Sequence, residues 1–171
     1  MTGPDKVVGP VATVTVPTAE AMRVLGTRLA GLLRAGDLVI LIGDLGAGKT
    51  TLVQGIGAGL EVRGPVTSPT FVIARVHPSL SGGPNLVHAD AYRLASPAEV
   101  DDLDLDETLD SSVTVVEWGG GLAEGLATDR LEVTITPAGQ GREVRITGYG
   151  ERWSRLADSA FLALSGGLEG L

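Results

Sequence analysis

The hydrophobic positions along this chain alternate between strand-like and helix-like periods, which predicts an α/β fold. Residues 12–16 alternate in β-branched side chains and predict a strand that Pro17 ends. A helix follows, which Thr18 is placed to cap and Gly36 to end. Its apolar residues fall at helical spacing and are Met22, Leu25, Leu29, Leu32 and Leu33. Residues 38–42 are apolar without alternation, which is typical of a strand buried on both faces.

The rest of the chain continues this alternation. Further strands are predicted at residues 71–76, 85–89, 112–118, 131–136 and 143–147, of which 112–118 is rich in β-branched residues. Helices are predicted at residues 49–60 and 151–164. The second of these has one apolar face, made of Trp153, Leu156, Ala160 and Leu164.

No internal repeat or linker divides the chain, so we expect a single domain over residues 11–165. Residues 1–10 are expected to form a flexible N-terminal tail, and residues 166–171 a C-terminal tail. The predicted architecture has three layers, with a central mixed, mostly parallel sheet and flanking helices.

The segment between the strand at 38–42 and the helix at 49–60 carries the clearest chemical signal. Residues 43–50 read Gly-Asp-Leu-Gly-Ala-Gly-Lys-Thr, which fits the P-loop pattern G-x-x-x-x-G-K-[ST]. Glycines let the backbone approach phosphates, and the helix N-terminus favours negative charge. Together these features predict a P-loop NTPase-like form of the α/β fold.

Two side chains of this pattern have defined chemistry. Lys49 reaches the β- and γ-phosphates and the Thr50 hydroxyl ligates Mg²⁺. The alternative, a chance glycine-rich turn, is disfavoured by the flanking strand and helix. Lys49 is also one of only two lysines in the chain, so it is not one solubilising charge among many. We expect its head group to be solvated in the empty site.

Two carboxylates end predicted strands, where ligands meet the sheet of α/β proteins. Glu117 stands where a P-loop protein requires the Mg²⁺-side carboxylate. Asp90 is a candidate for the Mg²⁺ shell or for positioning water; a helix cap or a salt bridge with Arg93 is the alternative. The hydroxyl-rich loop at residues 67–70 is either a switch that senses the γ-phosphate or an ordinary connection.

Composition excludes several classes of protein. The chain has no cysteine, which rules out disulfides and thiolate chemistry and fits a cytoplasmic protein. Its formal net charge of −8 argues against a large nucleic-acid surface, so we expect no direct DNA binding. Neither a membrane-length apolar run nor a signal peptide is present. The acidic stretch at residues 99–110 is either a solvated face or a protein-docking surface.

Four short motifs make the chain recognisable when they are taken together. Residues 43–51 are the P-loop with one further threonine, and residues 67–71 read Thr-Ser-Pro-Thr-Phe. Residues 88–93 read His-Ala-Asp-Ala-Tyr-Arg, and residues 116–118 read Val-Glu-Trp. This ordered set closely resembles the TsaE (YjeE) family, bacterial P-loop ATPases needed to make N6-threonylcarbamoyladenosine in tRNA. The resemblance runs from Val14 to about Leu156.

The resemblance implies a function that the spacing of residues does not show. Members of the family bind ATP or ADP with Mg²⁺ and hydrolyse ATP weakly on their own. They bind the complex of TsaB and TsaD, which transfers the threonylcarbamoyl group to adenosine 37 of tRNAs that read ANN codons. ATP hydrolysis supports turnover of that complex, and the tRNA is contacted through the partner.

The resemblance also implies roles for individual residues. Those that hold the phosphates are Asp44, Leu45, Gly46, Ala47, Gly48, Lys49, Thr50 and Thr51. Thr50 and Glu117 take the Mg²⁺. Asp90 acts on the attacking water or the Mg²⁺ shell, and Thr70 belongs to the switch-like loop. With Glu117, these two are the catalytic candidates.

Further positions concern the nucleotide base. The resemblance places Trp118 near the nucleotide and Arg142 near the adenine. Met22 is a departure, because the family often has threonine there, beside the expected base pocket. The contacts to the base are therefore less defined than the contacts to the phosphates.

Two other functions on the same fold stay open. A small-molecule kinase would need an acceptor pocket and a cationic lid, which the acidic stretch at residues 99–110 does not offer. A nucleotide-sensing regulatory module would bind ATP without hydrolysing it. A GTPase is disfavoured because the chain has no Asn-Lys-x-Asp motif.

Overall fold

The computed structural model describes residues 7–44, 48–66, 74–90, 109–117, 129–156 and 158–171 of the chain, without the side chains of residues 7–10 and 158. The sequence predictions that lie outside these residues include the loop at 67–70, residues 71–73 of a predicted strand, Arg93, the acidic stretch up to residue 108, Trp118, and the P-loop positions 45–47. The strands are β1 Val7–Val16, β2 Leu38–Ile42, β3 Ala74–His77, β4 Asn85–Asp90, β5 Ser112–Glu117, β6 Arg130–Ala138 and β7 Gly141–Tyr149. The helices are α1 Ala19–Ala30, α2 Lys49–Leu60, α3 Glu151–Ser154 and α4 Asp158–Leu162, followed by a 3₁₀ turn at Leu168–Gly170.

All seven strands form one sheet in the order β1-β7-β6-β2-β5-β4-β3. The four central strands β4, β5, β2 and β6 are mutually parallel. Strand β7 runs antiparallel to both β6 and β1, and β3 runs antiparallel to β4. The sheet is therefore mixed and mostly parallel, as predicted, and the parallel strands bring their carboxyl ends to one edge.

Both faces of the central strands are buried. On one face, Val39 and Leu41 of β2 join a core that includes residues of α1 and α2, such as Leu25 and Leu52. On the opposite face, Ile40 is also completely buried. A sheet covered on both sides is what the predicted three-layer α/β arrangement requires.

Helices α1 and α2 approach each other through glycines. A Cβ atom at Gly26 would lie 2.3 Å from the carbonyl oxygen of Leu52, and one at Gly55 would lie 2.1 Å from that of Arg23. The Thr27 hydroxyl also donates across the interface to the Gly55 carbonyl, at 3.2 Å. This close backbone contact fixes α2, which begins at Lys49, against the rest of the fold.

An ion pair anchors the opposite end of β2. Asp37, which immediately precedes the strand, accepts hydrogen bonds from Arg152 Nε at 3.2 Å and Nη2 at 3.1 Å. The guanidinium also donates to the Leu32 carbonyl and lies 4.2 Å from the centroid of the Trp153 ring. Helix α3 is thereby tied to the start of the strand that leads to the P-loop.

The N-terminal half of the chain follows the sequence prediction with two differences. Strand β2, helix α2 and the Thr18 cap, which accepts from the Ala21 amide at 3.1 Å, are confirmed. Helix α1 ends earlier than predicted: Gly31 caps it, and Gly36 lies in the turn before β2 with φ +97°.

Strand β1 begins inside the predicted flexible tail. It starts at Val7 and contains Gly9 and Pro10, next to a shift of register between Val7 and Val11. An edge strand can hold proline at such an irregularity because its outer edge has no ladder partner that needs the missing N–H group.

The prediction of one helix over residues 151–164 is wrong. Helix α3 stops at Ser154 and α4 begins at Asp158, so the apolar face is not continuous. The interruption lets Phe161 meet Trp153 edge to face, with ring centroids 6.3 Å apart. Leu168, within the predicted C-terminal tail, is completely buried in the same core.

None of the described helices combines the length and the apolar character that crossing a bilayer needs.

The glycine contact between α1 and α2 predicts that alanine at Gly55 lowers the stability of the protein. Alanine usually stabilises a helix by about 1 kcal/mol relative to glycine. At Gly55 we expect the reverse, a loss of about 1–3 kcal/mol in the free energy of unfolding, because the new methyl group meets the Arg23 carbonyl. Urea unfolding measures the difference.

Gly166→Ala is the matched control, since no heavy atom lies within 4 Å of its added Cβ. It should change the free energy of unfolding by no more than about 0.5 kcal/mol. A Gly55→Ala protein as stable as the control would contradict the close contact between the helices.

Candidate functional site

The P-loop turn passes directly from strand to helix, as its sequence requires. Strand β2 ends at Ile42 and helix α2 begins at Lys49. Gly48 precedes the helix in the left-handed region with φ +104°, and a Cβ atom there would lie 3.2 Å from the Met22 methyl carbon. Among the described residues no side chain caps α2. The first N–H groups of a helix have no intrahelical acceptor, so this terminus suits an anion.

The Lys49 side chain folds back onto the turn. It is only 5% exposed, and its Nζ donates to the carbonyl oxygens of Gly43 and, at 3.1 Å, of Asp44. The expectation of a solvated head group is therefore wrong. Backbone carbonyls at the end of β2 replace water, because an ammonium that loses its hydration needs other acceptors.

The electrostatic environment of this ammonium comes from burial and from three carboxylates. Burial lowers the pKa of Lys49 below its ordinary value, while the negative charges of Glu117, Asp90 and Asp44 act in the opposite direction. Three acidic side chains from separate segments of the chain thus act on one cation. The two that the sequence placed at strand ends are among them.

Asp90 and Glu117 are side by side at the edge of the sheet. They are register partners in the parallel pair of β4 and β5, and each is the last residue of its strand. Leu41 of β2 is the partner of Glu117 on its other side. Since register partners project to the same face, both carboxylates lie on the face of the sheet covered by α1 and α2.

Sequence reasoning assigned no role to His88, although the residue belongs to one of the four motifs. Its imidazole is completely buried, and Nε2 forms a hydrogen bond with Glu117 Oε2. The available signal was the strand period, because His88 precedes Asp90 by two residues and so lies on the same face. The partner on β5 is 29 residues away in the sequence and gave no signal.

The residues at this edge fit a Mg²⁺ ion held together with phosphates. The described part of the chain contains no group of three or more His, Cys, Asp or Glu residues that could bind a metal alone. Mg²⁺ usually takes one or two carboxylates, several waters and phosphate oxygens. Asp90, Glu117 and the half-buried Thr50 offer such a partial set of oxygen donors, and the charges of the two carboxylates act on the Lys49 ammonium.

Two other predicted site residues, Thr51 and Arg142, lie on α2 and β7. Thr51 lies half-buried in the first turn of α2. Arg142 lies on β7 opposite Val16, and its Nη1 donates to the Gly141 carbonyl at 2.9 Å. Strand β6 separates β7 from β2, so the adenine role of Arg142 stays a prediction.

Comparison with known proteins agrees with this geometry. The family model for Threonylcarbamoyl adenosine biosynthesis protein TsaE matches residues 16–144, a span that includes the P-loop, Asp90, Glu117 and Arg142. The chain belongs to the TsaE family. The resemblance inferred from the four sequence motifs is thereby confirmed.

Individual relatives cover most of the chain. A Streptomyces coelicolor protein named tRNA threonylcarbamoyladenosine biosynthesis protein TsaE is 62% identical over 148 residues, which are 83% of this chain and 99% of that protein. A Bacillus subtilis protein of the same name is 37% identical over 141 residues, 81% of this chain and 87% of its own. The crystal structure of Bacillus subtilis YdiB superposes with a TM-score of 0.73 at 28% identity, over 93% of this chain and 97% of that one.

The contacts of Lys49 predict a structural effect of its removal. Lys49→Ala should lower the free energy of unfolding by about 1–3 kcal/mol, because two carbonyls lose a charged donor and the neighbouring carboxylates lose their cation. Urea unfolding without nucleotide measures this loss. Arg23→Ala, which removes an exposed cation from α1, is the control and should be nearly neutral. Equal stability of the two variants would show that the hydrogen bonds of Lys49 contribute nothing.

Proposed function

We propose that this chain is a Mg²⁺-dependent ATPase that supports formation of the threonylcarbamoyl group on adenosine 37 of tRNAs reading ANN codons. It acts in the cytoplasm with the TsaB–TsaD complex and reaches tRNA through that partner. One observation carries the proposal: the P-loop lysine lies at the uncapped N-terminus of α2, under the charges of Asp90 and Glu117. The names of the relatives supply the tRNA-modifying context.

Phosphoryl transfer to water needs neutralised charge and in-line positioning more than covalent help. In the proposed mechanism, the α2 N-terminus and the Lys49 ammonium hold the phosphate oxygens, and Thr50 and Glu117 hold the metal ion. Bound Mg²⁺ supplies charge neutralisation on the β- and γ-phosphates. Asp90, beside Glu117 at the strand ends, orients the attacking water.

The reaction is expected to be slow in the isolated protein. The sequence offers no obvious arginine finger, and such a residue contributes a factor of about 10³–10⁵ to hydrolysis in other P-loop proteins. A partner that completes the site would therefore accelerate hydrolysis. Thr70, in the motif at residues 67–71, is proposed to respond to the γ-phosphate, and Trp118, in the motif at residues 116–118, is proposed to lie near the nucleotide.

Steady-state ATP hydrolysis, measured with and without the TsaB–TsaD complex, tests the enzymatic part of the proposal. We expect slow release of phosphate by the chain alone and a clear increase with the complex. Asp90→Asn should lower the rate about 10²-fold or more, because water positioning by a carboxylate contributes a factor of that order. Asp110→Asn, an exposed acidic position before the start of β5 and at the opposite end of that strand from Glu117, is the matched control for the chain alone. Fast hydrolysis that the complex leaves unchanged would refute the coupling.

Reconstituted tRNA threonylcarbamoylation under multiple-turnover conditions tests the biological part. With purified TsaB–TsaD, product should accumulate beyond one equivalent of the complex only when this chain and ATP are present. With the Lys49→Ala variant in place of the wild-type chain, product should not accumulate beyond one equivalent of the complex. Product that accumulates equally without the chain would exclude the proposed role.

The same reagents separate the alternative functions. A small-molecule kinase would produce a phosphorylated metabolite in place of inorganic phosphate, and a nucleotide sensor would bind ATP without forming ADP. If GTP competed with ATP on equal terms in a binding titration, the proposed preference of the site for ATP would be wrong.

A further inference from the structure

His88 is a buried polar residue whose position needs an explanation. It lies on β4 in the sheet interior with no exposed surface, and its register partner is Val115 of β5. The Nδ1 atom has no hydrogen-bond partner among the described residues. Burial of an imidazole with one nitrogen unsatisfied costs stability. His77 shares this feature at its Nε2 atom, so what distinguishes His88 is its hydrogen bond to Glu117.

The single hydrogen bond of His88 constrains one oxygen of Glu117. An ionised carboxylate only accepts hydrogen bonds, so the hydrogen lies on Nε2 and the donor is the imidazole. The bond engages Glu117 Oε2 and leaves Oε1 as the oxygen that can serve a further ligand. A carboxylate held at one oxygen cannot rotate freely about its terminal torsion.

The strand neighbours of Glu117 offer it no hydrogen-bond donor of their own side chains. Leu41 on β2 is apolar, and Asp90 on β4 is another acceptor that repels it. The Lys49 ammonium, which is attracted to both carboxylates, already donates to the carbonyls of Gly43 and Asp44. Among the described residues, His88 is the side chain that holds Glu117 Oε2 by a hydrogen bond and so restrains the orientation of the carboxylate.

We infer that His88 is a positioning residue of the Mg²⁺ site, whose Nε2–H group holds Glu117 Oε2 so that Oε1 meets the metal ion. The inference rests on the proposed function, because it requires Mg²⁺ bound with nucleotide beside Thr50 and Glu117. Partners that orient a metal-binding side chain are worth about 10–100-fold in metal affinity. His88 itself touches neither the metal ion nor the nucleotide.

Metal affinity, measured apart from nucleotide affinity, tests the inference on the full chain. ADP binding is measured by calorimetry in EDTA and then at increasing Mg²⁺. His88→Met should leave ADP affinity in EDTA within about two-fold and weaken apparent Mg²⁺ affinity about 10-fold or more. His88→Gln, which keeps an N–H donor at similar reach, should restore part of the loss. A general loss of structure would change both affinities and would not be rescued by glutamine.

The chain offers a matched control in its only other histidine. His77 is also buried, but it contacts the Arg63 carbonyl through Nδ1 at 3.3 Å, on the edge strand β3. His77→Gln should leave both affinities unchanged. A His88→Met protein that binds Mg²⁺ as tightly as the His77→Gln protein would overturn the inference.

A measurement on the wild-type protein keeps the inference testable even where a His88 variant does not fold. Imidazole ¹⁵N resonances of ADP-bound protein are followed as Mg²⁺ is added, and with two histidines the assignment needs only the His77→Gln spectrum. We expect His88 Nε2 to shift while His77 stays constant. If the His88 resonance does not move at a Mg²⁺ concentration that measurably tightens ADP binding, the inference about His88 is wrong while the proposed metal site stands. ADP binding that Mg²⁺ does not alter overturns the proposed metal site as well.

Discussion

The arrangement of the site depends on a charged amine that is nearly excluded from water. An ammonium in that position must replace its hydration with acceptors and negative charge. Lys49 finds the acceptors in two carbonyls of its own turn and the charge in Asp44, Asp90 and Glu117. The dependence is mutual, because adjacent carboxylates at the ends of β4 and β5 repel one another unless a cation lies beside them.

The fold maintains this balance by fixing the elements on both sides of the P-loop. Before it, Asp37 is held by the guanidinium of Arg152, which joins the start of β2 to helix α3. After it, the contact at Gly26 and Gly55 sets α2 against the backbone of α1. The N-terminus of α2 is therefore positioned by backbone contacts, which leave less freedom than a layer of long side chains would.

Much of this architecture could be predicted from local sequence. The signal lies within a few residues for the apolar run at 38–42 and for the P-loop pattern. The same holds for the predicted strands that lead to Asp90 and Glu117. The parallel register then brings the strand ends together without further information. The division of residues 151–164 into two helices was missed because the helical period continues across the break, and the gain that decides it is a contact between Trp153 and Phe161.

Features that join distant segments could not be predicted. The partner of His88 is 29 residues away on another strand, and nothing in either segment specifies the bond. The buried state of Lys49 depends on carbonyls, which every residue possesses and which therefore leave no mark in the sequence. Both features belong to the tertiary arrangement of the strand ends, where register decides which groups meet.

The hydrogen bonds of Lys49 also bear on how a nucleotide would enter. The ammonium donates to neutral carbonyl oxygens at the end of β2. A phosphate oxygen adds the attraction of a full negative charge to the hydrogen bond, so phosphate oxygens can displace these neutral carbonyls. The same phosphates would add negative charge beside Asp90 and Glu117, and that excess requires a second cation in addition to Lys49. Nucleotide and divalent metal ion are therefore expected to bind cooperatively, because each one relieves the charge imbalance that the other would create.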